Sequence, residues 1–205
     1  ASCIPDKNLH AIFLDIDGVL IKGSRTRYSS SCVKNLREIL LRTGSRIILS
    51  SNHRMFTKHQ KNFKNTLKKH QIDLEFFVGQ TDFPENVSEY RTGSRERRIR
   101  LILKYLKDHP EISTWVAIDD LKLNLPKRNF VLTENSDGLT KEKAQKVIDL
   151  FLEQQKKKRK VTNVESKSIT KNDPSSNKKT RVDSSSDSND NDNDNDNDND
   201  NDNDN

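Results

Sequence analysis

The run Ala11-Ile12-Phe13-Leu14 leads straight into Asp15-Ile16-Asp17-Gly18-Val19-Leu20, and no other segment restricts the fold as much. Successive side chains of a strand point to opposite faces, so consecutive apolar residues make both faces hydrophobic. Such a strand needs cover on both sides, which a parallel sheet layered by helices provides. The following 140 or so residues repeat this logic, with short apolar runs alternating with amphipathic stretches in the manner of βαβ units. Strands are expected near His10–Asp15, Arg46–Ser50, Leu74–Val78, Trp115–Asp119 and Phe130–Leu132. Helices are expected over Ser31–Gly44, about Met55–His70, Arg95–Asp108, and from after Thr140 to about Gln155. Their inner faces follow 3.6-residue spacing: Val33, Leu36, Ile39 and Leu40 in the first; Ile99, Ile102, Leu103 and Leu106 in the third; Ala144, Val147, Ile148 and Phe151 in the last. A serine suits the start of the first helix and Gly44 its end. The order β-α-β-α-β-α-β-β-α implies an α/β fold, a three-layer, Rossmann-like, doubly wound and mostly parallel sheet.

Composition divides the chain. From residue 156 the apolar residues nearly vanish, and Lys, Ser, Asn and Asp replace them, a mixture that cannot bury a core. The reading is a domain over residues 1–155 and a disordered tail over 156–205, with a basic cluster at 156–161 and an Asn-Asp repeat at 189–205. Of 37 Lys+Arg and 31 Asp+Glu, the tail holds 10 and 12, which leaves 27 against 19, a net of +8, for the domain. That excess favours anionic partners such as phosphoesters, nucleic acid or acidic protein. The two cysteines, Cys3 and Cys32, are too few for a disulfide framework and point to a reducing compartment. No stretch is long and apolar enough to span a membrane, and no signal-peptide profile opens the sequence, so an intracellular protein with no membrane partner is expected.

The chemistry begins at the end of the first strand. Ligands bind open α/β sheets at the carboxyl ends of their strands, and there Asp15 and Asp17 would point to one side. Two carboxylates so placed are stable if a divalent cation neutralises them or one holds a proton. Both conditions suit phosphoryl transfer: Asp15 attacks phosphorus, Mg²⁺ offsets charge, and Asp17 donates a proton to the leaving oxygen.

The D-x-D-G-V sequence resembles the first motif of the haloacid dehalogenase superfamily. The other motifs follow in order. Ile47-Ile48-Leu49-Ser50-Ser51 is similar to the second, whose hydroxyl binds the phosphoryl group; Ser50 aligns best, with Ser51 as the alternative. Arg95 stands where the family carries a Lys or Arg at the start of the helix before the fourth strand, with Arg91, Arg97 and Arg98 as competitors. Trp115-Val116-Ala117-Ile118-Asp119-Asp120 resembles the fourth motif. The resemblance implies catalytic roles for Asp15, Asp17, Ser50 and Arg95, and a Mg²⁺ site drawn from Asp15, Asp17, Asp119 and Asp120. Segments L-S-S-N-H-R, H-P-E-I-S-T-W-V-A-I-D-D and L-T-E-N-S-D-G-L-T are similar to the capless domains of Swiss Army Knife RNA repair proteins. His53 stands where many relatives have Trp.

Only about 35 residues separate Asp15 from Ser50, and Gln80–Ser94 is too short for a folded cap. An open site suits part of a large substrate. With Arg54, Lys58, Lys61, Lys64, Lys68 and Lys69 on the second helix, the expected partner is a phosphorylated macromolecule, an RNA or DNA end by preference. The expected enzyme is therefore a phosphoric monoester hydrolase. A protein phosphatase and a non-catalytic nucleic-acid-binding module are the alternatives. Val19, where capless protein phosphatases carry Thr, weighs against the former. Lys156-Lys157-Lys158-Arg159-Lys160 resembles a nuclear import signal, which implies an import receptor as partner and a nuclear location, the cytoplasm otherwise.

Overall fold

The computed structural model describes residues 8–82 and 94–168, and of residues 94 and 159–168 the backbone alone. Arg91, most of the Gln80–Ser94 loop and the Asn-Asp repeat lie outside the described residues. Five strands, β1 (Leu9–Leu14), β2 (Arg46–Leu49), β3 (Phe77–Gln80), β4 (Ile112–Asp119) and β5 (Phe130–Leu132), alternate with helices α1 (Ser30–Thr43), α2 (Thr57–Lys69), α3 (Ser94–Asp108) and α4 (Lys141–Ser168). The sheet order is β3-β2-β1-β4-β5 and every pairing is parallel.

Sequence chemistry explains the order. From β1 the chain steps outward to β2 and then β3, and right-handed crossovers keep α1 and α2 on one face. It then returns past β1 to place β4 on the other side, so α3 falls on the opposite face. Two apolar layers result. Ile12 and Leu14 of β1 pack with Leu36 and Ile39 of α1, Phe63 of α2, and Val147 and Phe151 of α4. Ala11 and Phe13 point the other way, toward Ile102 of α3. Phe13 meets Tyr105 and Trp115 edge to face, with centroids 5.8 Å apart in each case. Burying a side chain as large as Phe13 contributes about 1.5–3 kcal/mol. The consecutive apolar run of β1 thus serves two cores at once.

Gly44 ends α1 as expected: at φ +64° its N–H donates to the Leu40 carbonyl, a left-handed cap that a side chain would strain. Three expectations are corrected. Leu74–Phe76 form a 3₁₀ turn rather than a strand, and β3 begins only at Phe77. The helix expected to stop near Gln155 continues through the basic cluster to Ser168, since Glu, Gln, Lys and Arg are good helix formers and no Pro or Gly interrupts them. Finally, the inner face of α3 is shifted: Ile102 is buried and Ile99 and Leu106 pack beside it as expected, but Arg98 and Leu101 are buried too, Tyr105 packs on Phe13, and Leu103, expected inside, is 50% exposed. Among the described residues no helix is long and apolar enough to cross a membrane.

Candidate active site

Leu14 is in register with Leu49 on one side and Ile118 on the other. The next residue of each strand, Asp15, Ser50 and Asp119, therefore shares one rung at the carboxyl edge of the sheet. The Asp15 amide donates to the Ile118 carbonyl at 3.0 Å, and the Ser50 amide to the Leu14 carbonyl at 2.9 Å. The rung straddles β1 and β4, where the direction of strand addition reverses. Such a switch point at the carboxyl edge of a parallel sheet is where ligands of open α/β folds bind.

Asp15, Ser50 and Asp119 are all buried. Arg98, one turn into α3 and itself buried, donates from Nη1 to Asp15 Oδ2 and to Asp119 Oδ2, 2.5 Å in each case. The second oxygen of each carboxylate takes a local backbone donor: Ile16 N–H reaches Asp15 Oδ1 at 2.8 Å, and Leu121 N–H reaches Asp119 Oδ1 at 2.8 Å. Both carboxylates are thus fixed in orientation. Burial works against the Arg98 charge, but Asp15 and Asp119 outweigh it and hold the guanidinium above its ordinary range.

Asp120 completes the cluster from beside the first motif. Gly18 sits at φ +69°, and a Cβ there would overlap the Asp120 carboxylate, so only glycine permits this approach. Oxygens of Asp15, Asp119 and Asp120 all lie within 4.8 Å of one another. Burial and the Asp15 charge push Asp119 up to about 7, and the same two causes raise Asp120. Carboxylates that resist ionising together are relieved by a cation, and an all-oxygen donor set matches a hard divalent ion such as Mg²⁺. The residues present fit that ion.

Two expected site residues are placed differently. Asp17 is not in the acidic group: its side chain is 63% exposed and meets His53 Nε2 at 3.1 and 3.2 Å. The strand rule that put Asp15 and Asp17 on one side fails because β1 stops at Leu14. The chain then turns, with the Leu20 and Ile21 amides donating to the Ile16 carbonyl. The hydrogen bond and charge of His53 hold Asp17 below the usual carboxylate range. Arg95 is exposed on the first turn of α3, and the guanidinium against the carboxylates is that of Arg98. Ser51 accepts the His53 N–H at 3.2 Å and caps the 3₁₀ turn Asn52–Met55, so its hydroxyl already has a structural task. Arg54 is likewise absent from the basic surface: buried, it donates to the carbonyls of Ser51 at 2.7 Å and Asp82 at 3.1 Å.

Tyr28 escaped sequence reading altogether. Burial and the nearby Asp17 charge raise its phenol, and its hydroxyl is buried with no hydrogen-bond partner. No pattern around it in the sequence signals this position.

The family model for the HAD domain in Swiss Army Knife RNA repair proteins matches residues 11–144. No curated protein and no solved structure matches the chain. The matched stretch runs from β1 into the first turn of α4 and contains the whole rung, with Arg98 and Asp120. It covers more than half the chain, which therefore belongs to the family of HAD domains found in Swiss Army Knife RNA repair proteins, a family of phosphatase-type hydrolases.

Proposed function

We propose that the protein is a Mg²⁺-dependent phosphatase that forms an aspartyl-phosphate on Asp15 and acts on the phosphomonoester end of an RNA or DNA strand. The observation that carries this reading is the pair of unlike carboxylates two residues apart. Asp15 is locked by Arg98 and a backbone amide on the floor, and Asp17 stands exposed at the rim. An oriented carboxylate suits nucleophilic attack, and a solvent-facing one suits proton exchange with a leaving group and with water.

In the first step an Asp15 oxygen bonds to phosphorus as the ester P–O bond breaks, and Asp17 gives its proton to the departing oxygen. In the second, Asp17 takes a proton from water, the water oxygen attacks phosphorus, and the Asp15–phosphorus bond breaks to release phosphate. Asp17 starts below the ordinary carboxylate range, but the arrival of a phosphate dianion beside it favours its protonated form. Arg98 offsets the carboxylate charge that would otherwise repel the substrate. Mg²⁺ held by Asp15, Asp119 and Asp120 would supply further charge neutralisation at the phosphoryl oxygens.

A polymer end as substrate is supported by the short connections around the site. Only residues 15–29 separate β1 from α1, and only 81–93 separate β3 from α3, neither interval long enough for a cap. The exposed lysines 58 and 61 in the first turns of α2, and 64, 68 and 69 further along it, add positive charge to that helix. A panel of 5′- and 3′-phosphorylated oligonucleotides, nucleotides, sugar phosphates and phosphopeptides, assayed with and without Mg²⁺, tests the reading. Oligonucleotide ends are expected to be hydrolysed best and only with the metal. Equal hydrolysis of free nucleotides, or binding and cellular function that survive Asp15→Asn, would overturn it.

A further inference from the structure

Three rings form a row that starts at the rim carboxylate. His53, whose Nε2 meets Asp17, lies 4.5 Å centroid to centroid from His59, and His59 lies 5.2 Å from Phe56. The two histidine Nδ1 atoms are buried without hydrogen-bond partners, so packing holds this part of the row. Phe56 ends it in solvent at 57% exposure. Its backbone is anchored on both sides: its N–H donates to the His53 carbonyl at 3.3 Å, and its carbonyl accepts from His59 at 2.9 Å and Gln60 at 3.0 Å. Gln60 in turn donates to the Arg54 carbonyl. A lone exposed aromatic needs no explanation. An exposed ring fixed at the end of a contiguous row that begins at a proposed acid/base, with exposed Lys58 and Lys61 in the next turn, is a different object.

We propose that Phe56, backed by His59 and His53, is the platform on which the terminal nucleobase of a strand stacks while its end phosphate lies at Asp15. The inference rests on the polymer-end reading above. Stacking on an aromatic face tolerates any base, since every base has a π-face, and terminal bases are free to be splayed onto it. The platform therefore confers a preference for ends that carry a base, without a preference among bases. The lysines beside it meet the backbone phosphate of the next nucleotide.

The test compares kcat/KM for a phosphorylated oligonucleotide with that for the same strand carrying an abasic terminal residue, using full-length wild type, Phe56→Ala, Phe56→Leu and Phe56→Trp. Wild type is expected to favour the base-bearing end by about tenfold or more, the typical effect of removing one stacked base. Phe56→Ala and Phe56→Leu should bring the ratio close to one, and Phe56→Trp should keep it. If either ring-free variant fails to fold, the wild-type ratio and the remaining pair decide. Equal rates on both ends, or a preference that persists without the ring, overturn the platform and leave the polymer-end reading standing. Hydrolysis of small phosphomonoesters with none of oligonucleotide ends overturns both.

Discussion

The floor and the rim of the site are built in opposite ways from neighbouring residues. On the floor, Asp15 and Asp119 are buried, and each has one oxygen on a backbone amide and the other on Arg98. On the rim, Asp17 is exposed and has His53 as its charged or hydrogen-bonding contact. Two positions along the chain separate a carboxylate with no freedom from one that faces water. The difference comes from where β1 stops, since the turn that starts at Ile16 carries Asp17 out of the strand's alternation. A buried charge cluster is intolerant of losing a member. An exposed pair contributes little to stability and is available for proton exchange.

The largest expected effect comes from the floor. Asp15→Asn should reduce turnover by about three orders of magnitude or more, the usual outcome when a nucleophile is removed. Asp17→Asn should cost about a hundredfold or more, the contribution of a general acid and base. Single-turnover assays with radiolabelled substrate separate the two. Asp17→Asn still labels the protein slowly when the leaving group is good, and Asp15→Asn does not. Labelling of Asp15→Asn would erase the distinction between floor and rim.

Stability should divide the same way along α3. Arg98→Ala leaves two buried carboxylates without their cation and is expected to cost about 3–5 kcal/mol in metal-free buffer. Arg95→Ala, on the exposed first turn, should stay within about 0.5 kcal/mol. Urea melts in the presence of chelator measure both. Equal losses would mean that the Arg98 bridge does not hold the floor together.

These two arginines also mark how far the sequence could be read. The order of elements along the chain and the ends of the strands at Asp15, Ser50 and Asp119 follow from apolar runs that stop at polar residues, because a strand's end is written in its own composition. The facing side of α3 is not. Arg95 is favoured over Arg98 by its place at the helix start, where the resemblance puts a Lys or Arg, and that place is exposed. Ile99, Ile102 and Leu106 pack as their spacing implies, but the buried face extends to Leu101 and Tyr105, and it is with these that Arg98 is in phase at the i, i+3, i+4, i+7 spacing. Tyr105 was the missing signal, since its ring is apolar and packs on Phe13 although its hydroxyl reads as polar. Asp17 and His53 were beyond reach for another reason: their contact joins two turns that are 36 residues apart.

Acidity should probe the floor next. The folded-state pKa of Asp119 lies near 7, above its ordinary 3.8, so between these values the folded protein keeps a proton that the unfolded chain has released. Its contribution to stability is full below about pH 4 and is lost as pH rises toward 7, with a slope of at most about 1.4 kcal/mol per pH unit. Asp17 acts in the other direction and in a lower window: its stabilisation is present above the ordinary carboxylate value and is lost as pH falls through its depressed pKa. Thermal melts in chelator should therefore show stability falling from pH 4 to 7, and Asp119→Asn should remove that fall. Mg²⁺ should reverse the trend near pH 7, since ionised carboxylates are its ligands. A melt curve that Asp119→Asn leaves unchanged would place the titration elsewhere.

The smallest effect belongs to the outer rim. Lys58 and Lys61 are exposed, so replacing them singly with Ala removes a screened charge and no packing. Each change should raise KM for oligonucleotide ends only a few-fold at low salt, with the difference fading as salt rises, because phosphate contacts act through released counterions. The slope of log KM against log salt should fall by roughly one for each lysine that meets a phosphate. Lys69, at the far end of α2, serves as the comparison, since a strand held at Asp15 and Phe56 would pass the first turns of the helix and not its last. If Lys69→Ala changes the slope as much as Lys58→Ala does, the positive charge of α2 acts as a diffuse field, and the strand follows no defined path across the rim.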